Sequence, residues 1–194
     1  MEVLDKRQRI QDAASALFKT QGVEATSVND IVKFANVAKG TFYVYYKDKN
    51  ALVSQILTKQ HGTLLNELLN CSYDIAQQEQ MTWKNAFLEE LITHHRNNPL
   101  LLKTIQRNMP FIFDTIDHRK RVFQEVERLD AFLATWRRHG ESERCVVDRF
   151  MLVMEIVSVV CFNALTYDHP DILDILLPEL KRAVYCIMES EVTQ

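Results

Sequence analysis

Seven consecutive residues, Lys39-Gly40-Thr41-Phe42-Tyr43-Val44-Tyr45, gather a cation, a hydroxyl, two phenols and a glycine. A lysine can donate to guanine O6/N7 or to a phosphate, and a threonine can bond a base edge or touch a thymine methyl. A glycine lets the backbone approach a ligand closely. Thr26 and Ser27 upstream and Lys49 downstream add two hydroxyls and an ammonium. This is recognition chemistry rather than bond-making chemistry. The six histidines, His61, His94, His95, His118, His139 and His169, include no H-E-x-x-H pair and no Cys/His zinc spacing. His94 and His95 are adjacent, so on a helix they diverge by about 100° and cannot share one ion. With no glycine-rich phosphate loop and no nucleophile elbow, no enzyme, metal site or cofactor is expected.

The residues around this stretch read as helices that would hold it in place. Ile10, Ala13, Ala14, Leu17 and Phe18 fall on one stripe, and Gly22 should end that helix in a left-handed cap. Ser27 and Asp30 have capping-box spacing, and Val28, Ile31, Val32 and Ala35 supply a second, shorter stripe. Asn36 suits a tight turn, because asparagine tolerates left-handed backbone. In the third helix Ala38, Phe42 and Tyr46 lie four apart and should face inward. That leaves Lys39, Gly40, Thr41, Tyr43 and Tyr45 facing out. Two short helices joined by a turn and packed on a longer one make a three-helix DNA-binding unit.

Bulk composition agrees. Glycine and proline number only 4 each among 194 residues, too few for the tight turns of a sandwich or barrel. The net charge of −3 divides unevenly: residues 1–50 hold 8 Lys/Arg against 6 Asp/Glu, and residues 51–194 hold 15 against 20. The basic excess therefore sits at the end that would meet phosphate. Cys71, Cys145, Cys161 and Cys186 are scattered and read as reduced core or interface residues of a cytoplasmic protein. No apolar segment follows the charged N-terminus, so no signal peptide is expected. The apolar stretch from Cys145 to Tyr167 carries Asp148, Arg149 and Glu155 and falls short of a membrane span.

Beyond Asp48, a good helix cap, Leu52, Ile56, Leu64 and Leu68 mark a fourth helix that joins two domains without a flexible linker. Trp83, Phe87, Leu91, Ile92 and His95 share a face that ends at Asn97-Asn98-Pro99, and a short helix from Pro99 precedes Pro110 and Phe111-Ile112-Phe113. Val122, Val126, Leu129, Leu133 and Trp136 form a further stripe, stopped by Arg137-Arg138-His139-Gly140. Residues 143–167 are apolar nearly all round, and a last helix follows Pro170. The expected fold is all-α, with a helix-turn-helix domain over 1–50 joined by a helix to a larger regulatory and dimerisation domain over 51–194.

Three blocks carry a family resemblance: Ala13-Ala14-x-x-Leu17-Phe18 with Gly22; Thr26-Ser27-Val28-x-Asp30-Ile31; and Val37-Ala38-Lys39-Gly40-Thr41-Phe42-Tyr43 with Lys49 and Leu52. Together they resemble the N-terminal domain of the tetracycline-repressor family of bacterial regulators. The family often has glycine at Asn36, serine at Ala38, an aromatic at Val44 and histidine or tyrosine at Tyr45. The resemblance implies that Tyr43 and Tyr45 contact phosphate. Thr26, Ser27 and the free N–H groups beside them should hold another phosphate, and Lys49 one more. Lys39, Gly40 and Thr41 then meet the bases of a double-stranded operator.

The resemblance further implies a homodimeric repressor whose second domain takes a small-molecule effector. The aromatic and sulfur-bearing candidates for its pocket are Trp83, Phe87, Phe111, Phe132, Trp136, Met151 and Met154, each of which simple core packing also explains. An all-round apolar helix in a short chain is shared with a partner, and the family pairs its last two helices with their copies. Phe150, Val153, Val157, Cys161, Leu176, Leu180, Val184 and Ile187 are the residues expected across that interface. Two rival readings stand beside this one: a ligand-independent DNA-binding protein whose second domain meets a protein partner, and an enzyme on a DNA-binding fold. The latter would need convergent polar side chains that the second domain lacks.

Overall fold

The computed structural model describes residues 5–99, 102, 122–167, 169 and 171–189. Among these the regular structure is helical: α1 (Lys6–Gln21), α2 (Val28–Phe34), α3 (Lys39–Tyr45), α4 (Lys49–Glu79), α5 (Trp83–Asn97), α6 (Leu129–Ala134), α7 (Glu143–Tyr167) and α8 (Leu173–Glu189). The expected short helix after Pro99 and the Phe111-Ile112-Phe113 segment lie largely outside the described residues. The chain forms two compact units, and α4 belongs to the first up to His61 and to the second from Gly62.

In the first unit α1, α2 and α3 pack on one another. Ile10, Ala14, Ile31, Phe42 and Leu52 are wholly buried in one cluster with Tyr46 and Ile56. Complete burial of Phe42 stabilises the unit by about 1.5–3 kcal/mol, so α3 is anchored through its inner face. Local signals place the breaks. Ser27 and Asp30 form the expected capping box, with Asp30 N–H donating to Ser27 Oγ at 3.2 Å and Ser27 N–H to Asp30 Oδ2 at 2.9 Å. Asn36 takes the left-handed turn at φ 51°. Gly22 has the positive φ of 86° that favours glycine, but its ψ of 163° carries the chain away extended, not in the left-handed helical cap expected. Ala38 precedes α3 in extended backbone and is exposed, so it does not join Phe42 and Tyr46 inside.

The second unit is built around α7, which packs on α5, α6 and α8. Val122, Val126, Leu129, Leu133 and Trp136 are all buried as the stripe implied, yet they do not form one helix. Residues 125–128 turn, and α6 spans only Leu129–Ala134. Arg138 therefore lies beyond a helix end, where its guanidinium donates to Ile187 O at 2.9 Å instead of forming a positive last turn. Of the four cysteines, all free, only Cys161 is buried. Burial pushes its thiol up to about 11, which makes it an inert core residue. Cys71, Cys145 and Cys186 are exposed and so lie outside this core.

Candidate nucleic-acid interface

The outward surface of α3 follows from its inward one. With Phe42 and Tyr46 in the core, Lys39, Gly40, Tyr43, Val44 and Tyr45 are exposed and Thr41 is half-buried. Tyr43 keeps its ring edge-on against Phe42, centroids 5.4 Å apart, which leaves the phenol held but its hydroxyl free in solvent. No side-chain hydrogen bond or ion pair within the described residues engages Lys39, Thr41, Tyr43 or Tyr45. Gly40 has ordinary backbone, and a Cβ added there would meet nothing within 4 Å. Its missing side chain therefore answers no need inside the chain.

The flanking residues behave differently. Thr26 is 1% exposed, its hydroxyl donates to Gly22 O at 2.7 Å, and it accepts from Gln21 Nε2 at 3.2 Å. Its side chain closes the loop between α1 and α2, with the hydroxyl turned inward onto those two partners. Ser27 is exposed, but its hydroxyl is engaged with Asp30, 2.6 Å from Oδ2. Those bonds from Ser27 hold the Asp30 carboxyl below its usual range, so a carboxylate stands where an anion was expected. Lys49 is half-buried and donates to Val23 O at 2.9 Å and Thr26 O at 3.1 Å. Two of its three protons thus tie α4 to the α1–α2 loop. Arg9, which sequence reasoning passed over as one of several basic residues, clamps the turn: its guanidinium donates to Ala35 O at 2.6 Å and Asn36 O at 2.8 Å.

The candidates in the second unit are brought together, but as core. Phe132 touches Phe87 at 4.8 Å, Trp83 at 5.1 Å, and Trp136 and Phe150 at 5.8 Å between centroids. Phe87, Phe132 and Trp136 are at most 2% exposed, while Trp83, Met151 and Met154 pack against the same cluster half-buried. Trp83 Nε1 is 3.0 Å from Ser72 Oγ. Phe111 lies outside the described residues. Among the residues expected across a dimer interface, Phe150, Val153, Val157, Cys161, Leu180 and Val184 are buried inside the chain's own core, with Leu176 and Ile187 half-buried against it. Packing of α7 against α5 and α8 within the chain accounts for the burial of those six. The apolar side chains left outside are Leu152 and Val159 on α7, Tyr167 at its end, and Ile172 and Ile175 at the start of α8.

One buried polar pair belongs to neither set. His95 on α5 is 3% exposed, and its Nε2 lies 2.9 Å from Ser158 Oγ on α7. Burial, and secondarily the neighbouring His94, lowers its pKa to about 4, so the ring is neutral at physiological pH.

Comparison with known proteins agrees with this geometry. Residues 10–56 match the family model described as bacterial regulatory proteins, tetR family. The chain is 29% identical over 127 residues to YhgD of Bacillus subtilis, an uncharacterized HTH-type transcriptional regulator, covering 64% of this chain and 63% of that protein. It is 46% identical over 55 residues to the HTH-type transcriptional regulator AcrR of Shigella flexneri, or 28% of this chain and 26% of AcrR. The chain thus spans less than two thirds of the length of either relative. In fold it is similar to Thermus thermophilus FadR, a TetR-family transcriptional repressor solved with lauroyl-CoA, at TM-score 0.58 and 19% identity over 95% of this chain and 96% of that one. Among the described residues no helix is long and apolar enough to cross a membrane. Residues 10–56, with α2 and α3 held on α1 by a shared core, thus form the N-terminal domain that the bacterial regulatory proteins of the tetR family share.

Proposed function

We infer that this chain is a transcriptional repressor that binds a pseudo-palindromic operator as a homodimer and leaves it when a small molecule occupies the second unit. The carrying observation is the outer face of α3. Lys39, Gly40, Thr41, Tyr43 and Tyr45 stand on a helix whose inner face is fully engaged, and none of them is needed inside. Lys39 and Thr41 read base edges in the major groove while Tyr43 and Tyr45 hold phosphates. Lys49 acts mainly by fixing the loop that carries Thr26 and Ser27, with its charge close by for a phosphate. The dimer forms through Leu152, Val159, Ile172 and Ile175, since those side chains lie exposed on the last two helices. The protein works in the bacterial cytoplasm, where the operator is.

Selection from random duplex DNA followed by footprinting tests the reading. Half-sites about 34–36 Å apart are expected, with affinity falling steeply as salt rises. Lys39→Ala with Tyr43→Phe should weaken binding at least tenfold; unchanged affinity would place the site elsewhere.

A second reading is favoured by the aromatic cluster. Phe87, Phe132 and Trp136 fill the space between them, so they leave an effector no preformed place among themselves. The rival is a ligand-independent DNA-binding protein whose second unit meets a protein partner. Titration with a compound panel discriminates, read by tryptophan fluorescence and operator release together. The panel should span neutral and cationic apolar compounds, favoured by the acidic balance of residues 51–194, and acyl-CoA thioesters, because the similar FadR was solved with lauroyl-CoA. Release by a compound supports the effector reading; release by a protein alone supports the rival.

A further inference from the structure

Val44 is the most exposed large apolar side chain among the described residues, at 77%. It belongs to neither hydrophobic cluster. At about 100° per residue, the line of α3 pointing directly away from Phe42 and Tyr46 runs through Gly40 and Val44, one turn apart. A helix of seven residues is sensitive to intrinsic propensity, and valine and glycine are both poor helix formers. The two positions that project furthest from the core are therefore held by residues that help neither the helix nor its solubility. That pattern fits residue choice made for an external surface. Val44 has no donor or acceptor, which removes phosphates and the hydrogen-bonding edges of adenine, guanine and cytosine as its partners. Thymine alone presents an apolar group, its 5-methyl, in the major groove.

We propose that Val44 is a specificity-determining residue that packs its isopropyl group on the 5-methyl of a thymine in each half-site. Gly40, one turn earlier on the same line, supplies the clearance for α3 to come that close. This rests on the reading that α3 enters the major groove. Burying one methyl group against another apolar group is worth about fourfold in affinity per half-site.

The test uses the full chain and a duplex obtained by selection. Each thymine in turn is replaced by deoxyuridine, which removes the methyl and keeps every hydrogen-bonding group. Wild-type protein should lose about fourfold per half-site at one symmetry-related pair of positions. Val44→Ala, at an exposed site that leaves the fold intact, should bind the thymine and uracil duplexes equally at that pair and respond like wild type elsewhere. The proposal is overturned if no position responds, or if Val44→Ala keeps the full wild-type response at every position. Failure to select any duplex would overturn the DNA-binding reading, and this inference with it.

Discussion

Lys49, the first residue of α4, reaches back to the carbonyl of Val23, 2.9 Å from its ammonium and twenty-six positions earlier in the chain. The same ammonium holds Thr26 O at 3.1 Å. A charged donor on two loop carbonyls is worth about 1.5–3 kcal/mol at best, less here because the site is only part-buried. Lys49→Met should lower the unfolding free energy of the first unit by about 1 kcal/mol and weaken operator binding along with it. Urea unfolding and DNA titration of the same preparation check this. Lost affinity with unchanged stability would instead make Lys49 a simple phosphate contact.

Gly40→Ala should separate stability from binding. The added methyl meets nothing within 4 Å inside the chain, and alanine is the better helix former by about 0.5–1 kcal/mol. The variant should therefore melt higher than wild type while binding operator at least tenfold more weakly. Melting curves beside binding isotherms decide it, and a variant that gained stability without losing affinity would free Gly40 of any role at the DNA.

Acid should weaken the second unit through His95. Its folded pKa of about 4 lies below the ordinary 6.5, so between those values the unfolded chain binds more protons than the folded one. Stability from this group is complete above about 6.5 and is lost as pH falls towards 4, by about 3 kcal/mol in all. Unfolding measured from pH 7.5 to 4.5 should show a steeper decline in wild type than in His95→Leu. Glu141 declines alike in both, because Arg149 holds its carboxyl low in each. Equal slopes would mean that His95 is not buried in solution.

Two kinds of charge substitution should part company on the last helices. Val157 is fully buried and Ile175 is 59% exposed. Val157→Asp puts an unpaired charge in the core and should unfold the chain or leave it insoluble. Ile175→Glu with Leu152→Glu should leave the helical signal intact and yield a monomer by sedimentation. A dimer that survives the double change would move the interface to another face.

Local signals alone determined most of the first unit. Ser27 and Asp30 cap a helix because they are three residues apart; Asn36 accepts positive φ because of its own short side chain; Phe42 and Tyr46 share a side because of helical pitch. Such features depend on neighbours within a turn or two, and no distant contact is needed to fix them. The outward set Lys39, Gly40, Tyr43 and Tyr45 was legible for the same reason. Only the tertiary structure decided the rest. Lys49 finds its partners twenty-three and twenty-six residues away, and Arg9 finds its own twenty-six and twenty-seven residues on. Helix α7 is apolar on almost every side, so its sequence names no inner face. Packing against α5, α6 and α8 selected Phe150, Val153 and Val157 for the core and left Leu152 and Val159 outside, a choice set by long-range burial, to which periodicity within one helix is blind.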